Sequence, residues 1–200
     1  MAGKFSIGGW RSRVTTGVGG IAAVVAGWGI GLFELKTTPP PPGLAAAKPV
    51  DAGEWTLRLD GVSVSDRMPD GGRIIGSDRK AIILHLQATN RTGMTSNSFV
   101  RAIHLDTPIR GIDAHPTPFL QRDRVATGEL QPALPEDMTL VWTYPAGEPV
   151  PAKLRFSIDA RSYRDFDNLY AQPGWFDPQK IGVIELPLSP AEAASKGAAS

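Results

Sequence analysis

The 200 residues contain no cysteine. That absence removes disulfides, thiolate nucleophiles, Cys-ligated metals and lipoprotein acylation together. Net charge is also scarce. With 21 Lys+Arg against 20 Asp+Glu the chain carries +1 at neutral pH, without the basic excess of a dedicated nucleic-acid binder. Histidine occurs three times, and there is no HExxH, no Gly-x-Ser-x-Gly and no phosphate-cradling glycine loop opening a helix. No internal repeat and no amphipathic helical period is visible. No nucleophile and base can be named, so the chain is expected to be no enzyme, with no cofactor and no metal.

One long uncharged run is present. Residues 14–33 read VTTGVGGIAAVVAGWGIGLF, and about 20 helical residues span the roughly 30 Å hydrocarbon core of a bilayer. Lys4, Arg11 and Arg13 precede the run, which predicts a cytoplasmic N-terminus at residues 1–13. A cleaved signal peptide would need small residues just after the apolar stretch. Glu34-Leu35-Lys36 occupy that place, and Ala45-Ala46-Ala47 lies beyond four prolines. The run is therefore read as an uncleaved signal-anchor, a single transmembrane α-helix. Within it Gly19, Ala23, Gly27 and Gly31 recur every four residues. On a helix they form a flat stripe where another backbone can approach, a packing face for a homodimer or a membrane partner.

Residues 34–53 are rich in proline and alanine and read as a linker, with Pro39 to Pro42 as a polyproline II spacer. Residues 189–200 lack apolar anchors and are expected to be disordered. Between them residues 54–188, about 135, suffice for one core.

The hydrophobic period in this stretch is two. Trp55, Leu57 and Leu59 alternate with polar residues, and the parity shifts to Val62 and Val64 after Gly61, which predicts a bulge there. Ile82, Leu84, Leu86 and Ala88 form a second face, and Phe99, Ile103 and Leu105 a third. Met138, Leu140, Trp142 and Tyr144 form a fourth; Leu154, Phe156 and Ile158 a fifth; residues 181–188 give a last strand. Gly and Pro clusters separate the runs, including Pro69-Asp70-Gly71-Gly72. The expected class is mainly β, an antiparallel sandwich with one face of each strand buried and the other wet.

The strand at 81–90 runs into Asn90-Arg91-Thr92-Gly93, and the loop Leu130-Gln131-Pro132-Ala133-Leu134-Pro135-Glu136 leads into a strand ending at Tyr144-Pro145. This arrangement resembles the bacterial membrane-anchored extracytoplasmic immunoglobulin-like β-sandwich family of unknown function. The resemblance covers roughly residues 54–159, and residues 168–180 depart from it. It implies an immunoglobulin-like sandwich and no catalytic residue. The expected location is the bacterial inner (cytoplasmic) membrane, with the C-terminal domain periplasmic or extracellular.

Chemistry-bearing residues are few. His85 and His104 fall on wet faces by strand parity. His104 with Asp106, and Asp113 with His115, have a spacing that could serve a divalent metal, but nothing in the sequence fixes the pairs together, and they read as solvated surface. The carboxylates Asp159, Asp165, Asp167 and Asp177 lie among Arg155, Arg161 and Arg164, an ordinary surface mixture. One segment stands apart. Residues 161–178, RSYRDFDNLYAQPGWFDP, read as a long non-strand connection holding Tyr163, Arg164, Phe166, Tyr170, Trp175 and Phe176. Aromatics with interleaved arginine are favoured at binding hot spots; a satellite core capping the sandwich would use the same residues. Residues 109–124, with Pro116, Pro118 and Phe119, form a second candidate loop. The expected partners are the lipid bilayer and another membrane or envelope protein, or a second copy through the helix, and no nucleic acid. The function expected is a protein-interaction or scaffold subunit of an envelope complex, or else a glycan or small-ligand module using 161–178.

Overall fold

The computed structural model describes residues 39–189 apart from Ser77, Gly128, Asn168 and Tyr170. The chain separates into two units, Met1–Pro40 and Pro41–Ser200, and the fold that follows is that of the second. Its described residues form eight strands: β1 (Val50–Asp51), β2 (Trp55–Ser65), β3 (Arg79–Asn90), β4 (Ile103–Leu105), β5 (Thr117–Leu120), β6 (Pro135–Pro145), β7 (Lys153–Arg164) and β8 (Gly174–Ser189). Among the described residues the one helical element is a 3₁₀ turn at Ser98–Arg101.

The strands form a curled sheet in the order β4-β7-β8-β2-β3-β6-β5, with β1 on the side of β2. It doubles over into two layers, β4-β7-β8 against β2-β3-β6-β5. One core lies between them, built from Leu57, Leu59, Ile82, Leu84, Leu86, Met138 and Leu140 of one layer and Ile103, Leu154, Phe156, Ile158, Ile184 and Leu186 of the other. Trp142 and Phe156 meet across it with ring centroids 6.0 Å apart. Each such side chain contributes about 1.5–3 kcal/mol on full burial, and the period-2 runs are the sequence trace of this face. The named strand pairs are antiparallel except one. β8 runs 16 residues, and its last two, Leu188 and Ser189, leave β7 and pair in parallel with Val62 and Ser63. β8 thereby joins the layers, and the expectation of a purely antiparallel sandwich is corrected at this seam.

The bulge in β2 falls at the expected place. Leu59 pairs with Leu86 and Gly61 with His85, so Asp60 is the unpaired extra residue. Other expectations change. The outer face of β3 and β6 is not simply wet: Ala81, Ile83 and Val141 are covered by Phe119 of β5 and by Ile74 and Met68 of the β2–β3 loop. That loop turns back at Gly71 (φ +83°) through an Arg67–Arg73 bridge. Phe99 is buried on a 3₁₀ turn rather than on a strand, so its spacing to Ile103 was no sheet period.

The second half of the expected linker is folded onto the sheet. The Val183 amide donates to the Pro42 carbonyl at 2.9 Å and the Leu44 amide to the Val183 carbonyl at 2.7 Å. Leu44 packs on Gly182, where any Cβ would collide with it. The Ala47 amide then donates to Leu59 at 2.8 Å, and β1 pairs with Leu57 and Thr56. Residues 42–51 thus close the gap that opens between β8 and β2 below their short parallel contact. Proline- and alanine-rich composition concealed this because backbone hydrogen bonds, not side-chain burial, hold most of it.

Candidate functional site

The aromatic segment is a hairpin arm, which corrects its reading as a non-strand connection. β7 continues to Arg164 and β8 begins at Gly174, with Tyr163 opposite Trp175, Ser162 opposite Phe176 and Arg164 opposite Gly174. Two register shifts, at Ile158/Asp159 and Ala160/Ser162, divide this arm from the core-facing part of the same strands. Bulges add twist and re-aim side chains. Beyond them the alternation of buried and exposed residues stops.

The arm brings Tyr163, Arg164, Trp175 and Phe176 onto adjacent strands and Phe166 into the turn; Tyr170 lies outside the described residues. Tyr163 and Trp175 meet edge to face at 5.4 Å, and the Phe176 ring lies over Gly174. Arg164 pairs with both Asp167 and Asp177. Asp167 is buried and also accepts the Leu169 amide at 2.9 Å. The outward groups are apolar: Tyr163 is 53%, Phe166 61% and Leu169 81% exposed.

The arm is fastened to the body at residues 51–54. The Arg161 amide donates to the Ala52 carbonyl at 3.2 Å, and its guanidinium stands 3.7 Å from the buried Glu54 carboxylate. Gly53 (φ +81°) lies against the Arg161 carbonyl and the Trp175 ring, leaving no room for a Cβ. The Gly53 amide donates to Asp51 at 2.9 Å, and Arg91 pairs with the same carboxylate at 2.6 Å. The backbone amide first, and Arg91 second, hold the Asp51 carboxyl below its ordinary value. At the same end of the sandwich Asn90 is fully buried and satisfied. It donates to the Met94 and Leu130 carbonyls at 2.8 and 3.0 Å and accepts the Thr92 amide at 2.9 Å. Met94 and Leu134, in the loops it ties, are exposed.

A concavity of about 670 Å³ opens where the layers end at the edge strands β4 and β5. Trp142 and Ile103 lie at its base, and the connection between the layers supplies Ile112, His115 and Pro116. The loop 109–124 contributes here as a wall. Sequence reasoning missed the part of Arg101 and Trp142, which only the meeting of two sheet edges brings to one place.

Of the residues with metal-like spacing, His104, Asp106 and Asp113 are engaged separately. His104 Nε2 lies 3.0 Å from Asp159, Asp106 binds Ser157 Oγ at 2.8 Å and Lys180 at 3.1 Å, and Asp113 binds Arg79 at 2.7 Å. Among the described residues no three metal-type ligands converge. Among the described residues, too, no helix is long and apolar enough to cross a membrane. Residues 14–33, including Gly19, Ala23, Gly27 and Gly31, lie outside them, as do residues 190–200 of the tail.

No family model matches the chain, and no curated protein matches it. A solved structure that it resembles is an uncharacterised β-sandwich protein from Clostridium difficile 630. The identity is 9% and the TM-score 0.45, over 75% of this chain and 97% of that one.

Proposed function

We propose that the chain is a single-pass, membrane-anchored, non-enzymatic interaction subunit of a bacterial envelope complex, whose outer domain is a sandwich of the immunoglobulin-like kind. The arm end of that domain engages another protein of the same membrane. The observation that carries this reading is the gathering of exposed apolar groups. Of the seven large exposed hydrophobic residues among those described, Met94, Leu134, Tyr163, Phe166 and Leu169 lie at the arm end. Exposed apolar groups concentrated in one region, with arginine beside them, mark interaction surfaces.

An anchor formed by residues 14–33 would favour a partner in the same bilayer. Gly19, Ala23, Gly27 and Gly31 would supply the packing face within it. The glycan reading has less support at the arm, since Trp175 is already engaged by Tyr163 and Gly53.

The test places a photo-crosslinking phenylalanine at Phe166, or at the still more accessible Ile75 in the β2–β3 loop, in the full chain in native membranes. A single adduct with an integral membrane protein is expected from position 166 alone, and Leu169→Ser together with Tyr163→Ser should abolish it. Equal adducts from both positions, or none from 166, refute the arm as the docking surface. A C-terminal reporter active only in the cytoplasm should be silent; activity would refute the anchored orientation.

A further inference from the structure

We infer that the cleft between the β4 edge and the β5 edge is a binding site for a small organic anion with a flat apolar body. The inference stands apart from the proposed membrane role and uses none of its residues. At about 670 Å³ the cleft falls in the size range of small-molecule sites, which are mostly apolar with a few convergent polar groups. Its apolar part is built from the base of the core. Trp142 is 3% exposed and Ile103 2%, both held by the packed layers, so the base is preformed. Ile112 and Pro116 complete the apolar walls.

The sign of the ligand follows from which charges are already satisfied. Asp113, the carboxylate in the lining, is neutralised. It binds Arg79 at 2.7 Å, the Thr143 hydroxyl at 2.7 Å and the Thr143 amide at 3.0 Å. His104 is taken by Asp159. Arg101 and His115 remain: both line the cleft, and among the described residues neither side chain has a hydrogen-bond or ion-pair partner. An arginine guanidinium and an imidazole at the mouth of an apolar cleft suit a carboxylate, sulfonate or similar head group, with the apolar body against Ile112 and Pro116. A cation would meet an unmatched positive charge.

The test titrates the full chain with 2-naphthoate and with its neutral amide by isothermal calorimetry. Saturable binding of 2-naphthoate at one site per chain is expected, with the amide at least about tenfold weaker, the usual scale of one charge-assisted hydrogen bond. Arg101→Gln and His115→Gln, both at exposed positions, should each weaken the naphthoate by about tenfold and leave the amide unchanged. Ile112→Trp should fill the cleft and abolish binding of both without changing the circular dichroism. Equal affinity for acid and amide, unchanged affinity in the two Gln variants, or no saturable heat with 2-naphthoate overturns the inference.

Discussion

The β7–β8 hairpin contains two different environments in one pair of strands. In the inner half Leu154, Phe156 and Ile158 face the core opposite Ile184 and Leu186, and every one is buried. In the outer half, past the bulges, the same ladder carries Tyr163, Trp175 and Phe176, and Tyr163 is exposed. Backbone pairing continues from one half into the other; burial does not. A two-stranded ribbon is marginal by itself in water, so the arm owes its persistence to the continuous ladder and to the contact with residues 51–54. An aromatic ribbon held in this way is suited to recognition, because Tyr163 and Phe166 stay largely exposed on it.

The contrast is broken most directly by removing one ring from each half. Phe156→Ala should lower the unfolding free energy by about 3–5 kcal/mol, from lost transfer energy and the cavity against Trp142. Phe166→Ala should change it by less than about 0.5 kcal/mol. Urea denaturation of the full chain checks both. A substantial loss in Phe166→Ala would mean that the arm is part of the core, and its role as a free surface would fall.

The same contrast explains what could be read in advance. Alternation is a record of one-sided burial, not of strand structure. It was therefore clear at Ile82, Leu84, Leu86 and Ala88, and at Leu154, Phe156 and Ile158, where a second layer covers one face. It was absent from residues 161–178, where 161–164 and 174–178 belong to strands without a clear alternation of burial, and the segment read as a loop. The proline-rich approach at 42–51 was missed for a related reason, since main-chain bonds to Val183 and Leu59 leave little trace in residue type. The aromatic cluster itself was visible as composition. The cleft was visible only in part: His115 and Pro116 stood out in their loop, while Arg101 and Trp142 join them through the closing of the two layers, which no local pattern encodes.

The junction between the halves is sharpened by Gly53→Ala. The backbone there is at φ +81°, and the new Cβ would meet the Arg161 carbonyl, which cannot swing away as a side chain could. A destabilisation of about 2 kcal/mol is expected from the strain alone. Hydrogen exchange should rise at residues 161–164 and 174–177, while the amides around Phe156 stay protected. Gly147→Ala, where nothing lies within 4 Å of the added methyl, is the matched neutral change. Uniform loss of protection along both halves would show that arm and body unfold as one unit.

The smallest effect expected comes from pH at that same junction. The Asp51 carboxyl titrates below its ordinary 3.8, because the Gly53 amide and then Arg91 favour its charged form. A group whose folded pKa is depressed stabilises fully above the unfolded value and loses that contribution as pH falls through the folded one. The window therefore lies below 3.8. Asp51 is largely exposed and its ion pair is screened, so the contribution is about 0.3 kcal/mol at neutral pH. Asp51→Asn should be less stable than the parent by that amount at pH 7, and the two should converge as the pH drops through the acid range. Protection of the Gly53 amide, which donates to this carboxylate, reports the change locally. If the difference grew towards acid instead, the carboxylate would be opposing the junction, and the arm would be held by Gly53 packing and the Arg161 backbone alone.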